Sequence, residues 1–301
     1  MNILLFGDQP SEEEANKQLY REGMLWGLSD YPYKPAIPIA GVPLLVHAVD
    51  VYLGAGFDVT IVGNPEEPKK ILGNTVRYAN PGHSFGDKIC FLSKYGDEML
   101  VVSAIDLFPN TKDVDGLCAL LEEHKEAALV APMVHGQSLV DIGFRPNLRT
   151  KIYHFRNYEG ESERLAFPQL YGIRPERFLL DTMASLANKL YPNREEGCEQ
   201  KLWPIIKEYF REQHNAETPG FFSTAGNLAY FLAMVWGSKR KLHDRPVTSF
   251  HRAGRTLTGL VGRSPPEELK FLSTDFYSLA CDVDTEEELD IVRDLVEKGE
   301  W

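Results

Sequence analysis

Residues 100–109 read Leu-Val-Val-Ser-Ala-Ile-Asp-Leu-Phe-Pro: an apolar run that ends in one carboxylate, Asp106, with Pro109 in the turn behind it. The apolar residues come without strict alternation, which suits a strand covered on both faces. In open parallel sheets, ligands bind beyond the carboxyl ends of the strands, so Asp106 stands where a site is expected. A carboxylate there suits Mg2+, a hard cation that takes one or two carboxylates alongside phosphate oxygens. The other reading of Asp106 is a cap for the turn that follows.

Outward from this stretch, similar runs at residues 2–6, 58–62, 75–79 and 127–133 predict further strands. Amphipathic segments lie between them. One is opened by Pro43 and closed by Gly54 and Gly56, one spans 85–95 ahead of Gly96, and one spans 111–124. Alternation of this kind predicts a mainly parallel sheet with helices on both faces. Residues 151–155 and 169–173 read as additional strands, and 278–283 as a last one. Thr285 then caps a helix whose first turn is acidic and whose Leu289, Val292 and Val296 share a face. Residues 175–241 are helical in period, and we read them as an insertion or lid within one α/β domain spanning 1–301. Their aromatic residues, Tyr209, Phe210, Phe221, Phe222, Tyr230, Phe231 and Trp236, are read as core, with a lid or homodimer surface as the alternative.

The 301 residues carry a formal net charge of -12. An acidic surface argues against broad binding to nucleic acid or anionic membranes, which need a basic footprint, while a small anionic ligand needs only a local positive pocket. No basic leader precedes a long apolar stretch, and no apolar run is long enough to span a bilayer. The four cysteines, Cys90, Cys118, Cys198 and Cys281, have no metal-site spacing. Reduced thiols in a cytoplasmic protein are expected.

Three further stretches carry candidate chemistry. In residues 33–49, YKPAIPIAGVPLLVHAV, Lys34 precedes an extended proline-rich segment, Gly41 makes a turn and Pro43 starts a helix. A lysine there reaches a phosphate or, alternatively, sits solvated on a loop. In residues 80–88, NPGHSFGDK, Gly82 belongs to a turn and Ser84 caps a helix whose N-terminus can receive an anion or a base edge. His83 reads as a surface turn residue. In residues 281–296, CDVDTEEELDIVRDLV, Asp282 and Asp284 alternate at a strand end and so point to opposite faces.

Taken in order, these stretches resemble the nucleotidyltransferase superfamily, in particular the NTP transferase domains of molybdenum-cofactor guanylyltransferases and sugar-nucleotide pyrophosphorylases. Lys34, Pro38, Ile39, Gly41, Pro43 and Leu44 match its lysine and Pro-Ile-x-Gly-x-Pro-Leu segment. Gly82 and Ser84 match its Gly-x-Ser. Val101 through Pro109 match its strand ending in a metal-binding aspartate, and Asp282 through Leu289 match its C-terminal acidic segment. The resemblance covers about residues 1–145 and 275–301. It implies a three-layer α/β/α sandwich with a mostly parallel, Rossmann-like (GT-A-like) sheet. It also implies transfer of a nucleotidyl group from an NTP to a phosphorylated or carboxylated small-molecule acceptor, with release of pyrophosphate. Lys34 and Asp106 would be catalytic. Asp106 and Asp284 would hold Mg2+, with Asp282 as the fallback ligand, and Gly7, Gly41, Gly82 and Ser84 would line the nucleotide.

One segment departs from that pattern. The family follows its first strand with Gly-x-Gly-x-Arg, whereas here Gly7 is followed by Asp8-Gln9-Pro10-Ser11-Glu12-Glu13-Glu14. Ser11 with Glu14 forms a capping-box pattern, and acids there oppose a polyphosphate, with Lys17 and Arg21 partly compensating. Two alternatives follow: a catalytically degenerate nucleotide- or sugar-nucleotide-binding protein of the same fold, and a GT-A glycosyltransferase. The latter typically carries Asp-x-Asp at the central strand end, where this chain has one acid.

Overall fold

A computed structural model describes residues 1–7, 33–82, 84–144, 152–190, 248–281, 283 and 285–301. The first strand, β1 (Asn2–Phe6), lies at the centre of the parallel half of the sheet. After it come a short hairpin of β2 (Pro38–Ile39) and β3 (Val42–Pro43), then helix α1 (Leu44–Gly54) and β4 (Asp58–Val62). Helix α2 (Glu66–Leu72), β5 (Arg77–Ala79), α3 (Phe85–Phe91) and β6 (Leu100–Ala104) complete the α/β alternation. Then come α4 (Thr111–Glu123), β7 (Leu129–His135), α5 (Gly136–Asp141), β8 (Ile152–Arg156), β9 (Ser162–Ala166) and β10 (Leu170–Ile173). Helix α6 (Leu180–Leu190), β11 (Thr248–Ser249), α7 (Phe250–Val261), β12 (Leu269–Thr274) and α8 (Glu286–Lys298) end the chain.

Among the described residues, ten strands form one mixed sheet in the order β11-β8-β9-β7-β10-β6-β1-β4-β5, with β12 beside β7. Strands β6, β1, β4 and β5 run parallel, and so do β7 and β12. The antiparallel β10 is inserted between β6 and β7. Alternate residues of β1 show why its sequence is apolar throughout. Ile3 and Leu5 pack on one face with Leu45 and Val49 of α1 and Leu117 of α4. Leu4 packs on the other face with Leu92, and Phe6 meets Phe85 at 6.2 Å between ring centroids. Both faces are therefore covered by helices, which is the three-layer arrangement expected from the sequence.

Local chemistry sets the element ends. Ser84 accepts from the Asp87 amide at 3.0 Å and Asp87 returns a bond to the Ser84 amide, a capping box that starts α3. The Asn110 side chain accepts from the Asp113 amide and caps α4, and the Thr285 hydroxyl accepts from the Glu288 amide and caps α8. The β2–β3 turn has positive φ at Ala40 and Gly41, the conformation a two-residue hairpin needs.

Some sequence expectations are corrected. Segment 85–95 is a short α-helix continued by a 3-10 turn at Leu92–Tyr95. Residues 278–281 and 283 are not a strand. Tyr277–Leu279 form a 3-10 turn, because the Ser278 amide and hydroxyl bond side chain and backbone of the β6–α4 junction instead of a neighbouring strand. Strands β9 and β12 and helix α7 were not foreseen. The aromatic residues named within 209–236 lie outside the described residues. No helix among the described residues is long and apolar enough to cross a membrane, and Cys90 and Cys118 are free thiols.

Candidate functional site

The ends of β1, β4 and β6 align at one edge of the sheet. The Gly7 amide donates to the Val62 carbonyl at 3.2 Å, and the Ile105 amide to the Phe6 carbonyl at 3.0 Å. Gly7 and Asp106 are thus brought to the same edge from positions far apart in the chain. A Cβ on Gly7 would lie 2.6 Å from Cγ2 of Ile105, so a side chain larger than hydrogen is excluded at the strand end.

Lys34 arrives there from a 3-10 turn at Lys34–Ala36. Pro35 occupies the first turn, where its missing N–H costs nothing. The turn is fixed from behind by Ile37, Ile39 and Leu44, which are buried with Phe108 in one cluster. Arg293 of α8 adds a bond to the Pro38 carbonyl at 3.3 Å. With its stem buried, Lys34 reaches Asp106: Nζ lies 2.7 Å from Oδ2, with side-chain exposures of 9% and 27%. A lysine and an aspartate that the sequence offers as separate candidates form one charge pair at the strand edge.

Two structures hold the Asp106 loop. The first is aromatic. Phe108 stacks on His47 of α1 with 4.1 Å between centroids and meets Trp301 at 5.3 Å. His47 Nε2 lies 2.9 Å from the Pro109 carbonyl, which can only accept, so Nε2 carries the proton. Burial depresses the His47 pKa below its ordinary value, only partly opposed by this bond and by Asp50, and keeps the ring neutral at pH 7. The second is a polar clamp. The Asn110 amide donates to Ser278 Oγ at 3.1 Å, and the Ser278 amide donates to Asp113 Oδ2 at 2.9 Å. All three residues are buried. Burial raises the Asp113 pKa, opposed by the bonds from Ser278 and Asn110. The clamp ties the loop after β6 to the turn that leads into Cys281, so the two acidic stretches of the sequence are joined by hydrogen bonds between their flanks.

The remaining candidates are placed as follows. Gly41 is the hairpin residue, and a Cβ there would meet open space. Gly82 has φ 144, and a Cβ would run into the Asp87 carboxylate at 2.4 Å, so this glycine makes room for the capping box. Ser84 is engaged as that cap, and the next amide of α3, Gly86, donates to Asn188 Oδ1 of α6 at 2.8 Å. Asp282, Asp284 and His83 lie outside the described residues. Among the described residues no group of three or more His, Cys, Asp or Glu could hold a metal ion. Asp106, a hard carboxylate at the strand edge, fits Mg2+ in the manner of a site whose other ligands are phosphate oxygens and water.

Sequence reasoning missed His47, Asn110, Asp113 and Ser278. Asn110 carried a signal, an asparagine just before an amphipathic run. The others depend on which strands are neighbours and had none.

No protein-family model matches the chain, and no curated protein matches it. Among solved structures, one described as a hypothetical transferase from Thermus thermophilus is 19% identical, with a TM-score of 0.53 over 96% of this chain and 100% of its own. The likeness is one of fold, and it extends over nearly the whole length of both proteins. CMP:2-keto-3-deoxy-manno-octonic acid synthetase in complex with CTP is 14% identical over 66% of this chain and 83% of its own, with a TM-score of 0.41. An apo UDP-glucose pyrophosphorylase is 12% identical over 58% and 77%, with a TM-score of 0.36.

Proposed function

We propose that this chain is a nucleotidyltransferase that moves a nucleotidyl group from an NTP to a phosphorylated small-molecule acceptor. The observation that carries the reading is the Lys34–Asp106 pair at the carboxyl edge of parallel strands β1 and β6. It is supported by the order of the matching stretches along the sequence and by the fold shared with the Thermus transferase structure. An acceptor oxygen would form a bond to the α-phosphorus while the bond from that phosphorus to the pyrophosphate oxygen breaks. Such a displacement asks the protein for positioning and charge neutralisation more than for covalent chemistry. Lys34 would offset the charge that builds on the departing pyrophosphate. Asp106 would hold Mg2+, with Asp284 or Asp282 as the second carboxylate. Held there, Mg2+ would supply charge neutralisation to the phosphate groups. In the same reading residues 1–301 form one α/β domain of a cytoplasmic enzyme, with 175–241 as an insertion or lid.

The test is pyrophosphate release from each NTP with Mg2+ and a panel of sugar phosphates. Release with one pairing, abolished in Asp106→Ala, is the expected result. Nucleotide binding without release from any pairing would instead select the degenerate, binding-only reading. Sugar transfer from a finished sugar nucleotide, without release from an NTP, would select a glycosyltransferase.

A further inference from the structure

A β-hairpin stands over the sheet edge that carries Asp106. Strands β9 and β10 follow each other along one flank of β7, and on their other flank β10 pairs with β6 while β9 pairs with β8. Leu170 lies opposite Ser103, and Ala166 lies opposite Ile152, so β8 continues the line of β6 past its carboxyl end. The Ala104 amide still bonds the Gln169 carbonyl at 3.1 Å, which puts Asp106 where the line passes from β6 to β8. Side chains alternate between the two faces of the hairpin. Tyr153, Phe155 and Leu165 are buried on one face. Ile152 and Ala166 face the other way, into the cluster that holds Phe108 and the residues Ile37, Ile39 and Leu44 behind Lys34. His154, Arg156 and Arg164 share this second face, with His154 directly opposite Arg164. Gly136 seats the hairpin closely: a Cβ there would lie 2.9 Å from Cδ1 of Ile152 and 3.3 Å from the Arg164 carbonyl oxygen.

Both arginines are exposed, and among the described residues neither they nor His154 have a side-chain hydrogen bond or an ion pair. The acids of the hairpin are placed elsewhere. Glu163 is on the opposite face, held by Asn157 and Ser273, and Glu159 and Glu161 belong to the turn at the tip. In a chain of net charge -12, two arginines and a histidine on one face are a local reversal of sign. At about 3.3 Å per residue, His154 and Arg164 stand roughly 7 Å, and Arg156 roughly 13 Å, beyond Ile152 and Ala166. The basic face therefore lies further out than a phosphate reacting at Asp106, where the remote end of a small acceptor would reach. We infer that this face binds a second anionic group of the acceptor, a phosphate or carboxylate remote from the oxygen that attacks. The inference rests on the nucleotidyltransferase reading given above and narrows its substrate class to acceptors with two anionic groups. Arginine suits both kinds of group, because its planar guanidinium donates two parallel bonds to either.

The experiment measures pyrophosphate release from each NTP with Mg2+ and three acceptors built on one sugar: the 1-phosphate, the 1,6-bisphosphate and the uronic acid 1-phosphate. The proteins are the wild type, Arg156→Met, Arg164→Met, the double Met variant and Arg164→Lys. Circular dichroism checks that each is folded, and the Gln variants stand in for any Met variant that is not. The readout is the ratio of kcat/KM for each doubly anionic acceptor to that for the 1-phosphate. The expected result is a wild-type ratio well above one for the bisphosphate or the uronic acid, and the acceptor that shows it names the group. That ratio should fall on the order of tenfold in the double Met variant and be largely kept by Arg164→Lys, which retains the charge. A wild-type ratio near one for both acceptors, or a ratio unchanged in the double variant, would overturn the inference and leave the nucleotidyltransferase reading standing. No release by the wild type from any NTP and acceptor would remove that reading and this inference together.

Discussion

Lys34 Nζ and Asp106 Oδ2 lie 2.7 Å apart across 72 residues of sequence. The pair joins the turn ahead of the β2–β3 hairpin to the end of β6, at the edge where parallel strands present ligands. Asp106→Asn keeps the shape and removes the charge. Pyrophosphate release should fall on the order of a hundredfold or more, as it should for Lys34→Met, because in the proposed reading Asp106 would hold Mg2+ and Lys34 would offset the charge on the departing pyrophosphate. Double substitution should cost far less than the product of the two single effects, since the residues act as a unit. Steady-state rates of the four proteins provide the check.

The Asn110–Ser278–Asp113 clamp should be felt first in stability. Asn110→Ala removes the cap of α4 and should cost about 0.5–2 kcal/mol. Ser278→Ala leaves the buried Asn110 amide without its hydroxyl partner and should cost about 1–3 kcal/mol. Thermal denaturation should show each as a fall in Tm of a few degrees. Because the clamp joins the flanks of the two acidic stretches, Ser278→Ala should also raise the Mg2+ concentration needed for half-maximal turnover.

His47 predicts a pH dependence with a definite sign. Its folded-state pKa is depressed below 6.5 by burial, so the unfolded chain binds more protons between the two values. Stability is therefore full above about pH 6.5 and declines as pH falls from there toward the folded-state value. His47→Gln, which retains a donor for the Pro109 carbonyl, should flatten that limb. Denaturant midpoints measured between pH 5 and 8 would show it, and an unchanged limb in the variant would assign the decline to other groups.

Gly7→Ala tests the strand end. The added methyl meets Ile105 at 2.6 Å, and Ile105 is a β-branched residue with little rotamer freedom. Overpacking of this kind should cost about 1–3 kcal/mol. The displacement passes to the adjacent Asp106, so turnover should fall more than in a surface glycine variant such as Gly54→Ala, where a Cβ meets open space. Melting curves and turnover of the two variants separate the effects.

Much of the architecture is legible in the linear chain where the determinants are local. The unbroken apolar runs of β1 and β4 announce strands covered on both faces, and the observed strands have the expected limits. Ser84 and Thr285 announce helix starts because a cap bonds an amide three residues away. Asp106 and Lys34 were legible as candidates because of the residue types around them, though nothing local says that they touch. The same limit explains the error at 278–283. Its apolar residues suit a strand, but Ser278 is claimed by Asn110 and Asp113, more than 160 residues away.

The sequence by itself determined many of the strands and helices, among them β1, β4 and α8, and which side chains carry charge suited to a phosphate. These depend on period, capping and residue chemistry within a few positions. Only the tertiary structure decided that β1 lies between β4 and β6, that β10 enters antiparallel between β6 and β7, and hence that Gly7, Lys34 and Asp106 share one edge. Strand order is chosen by the packing of whole faces, and no short window of sequence holds that information.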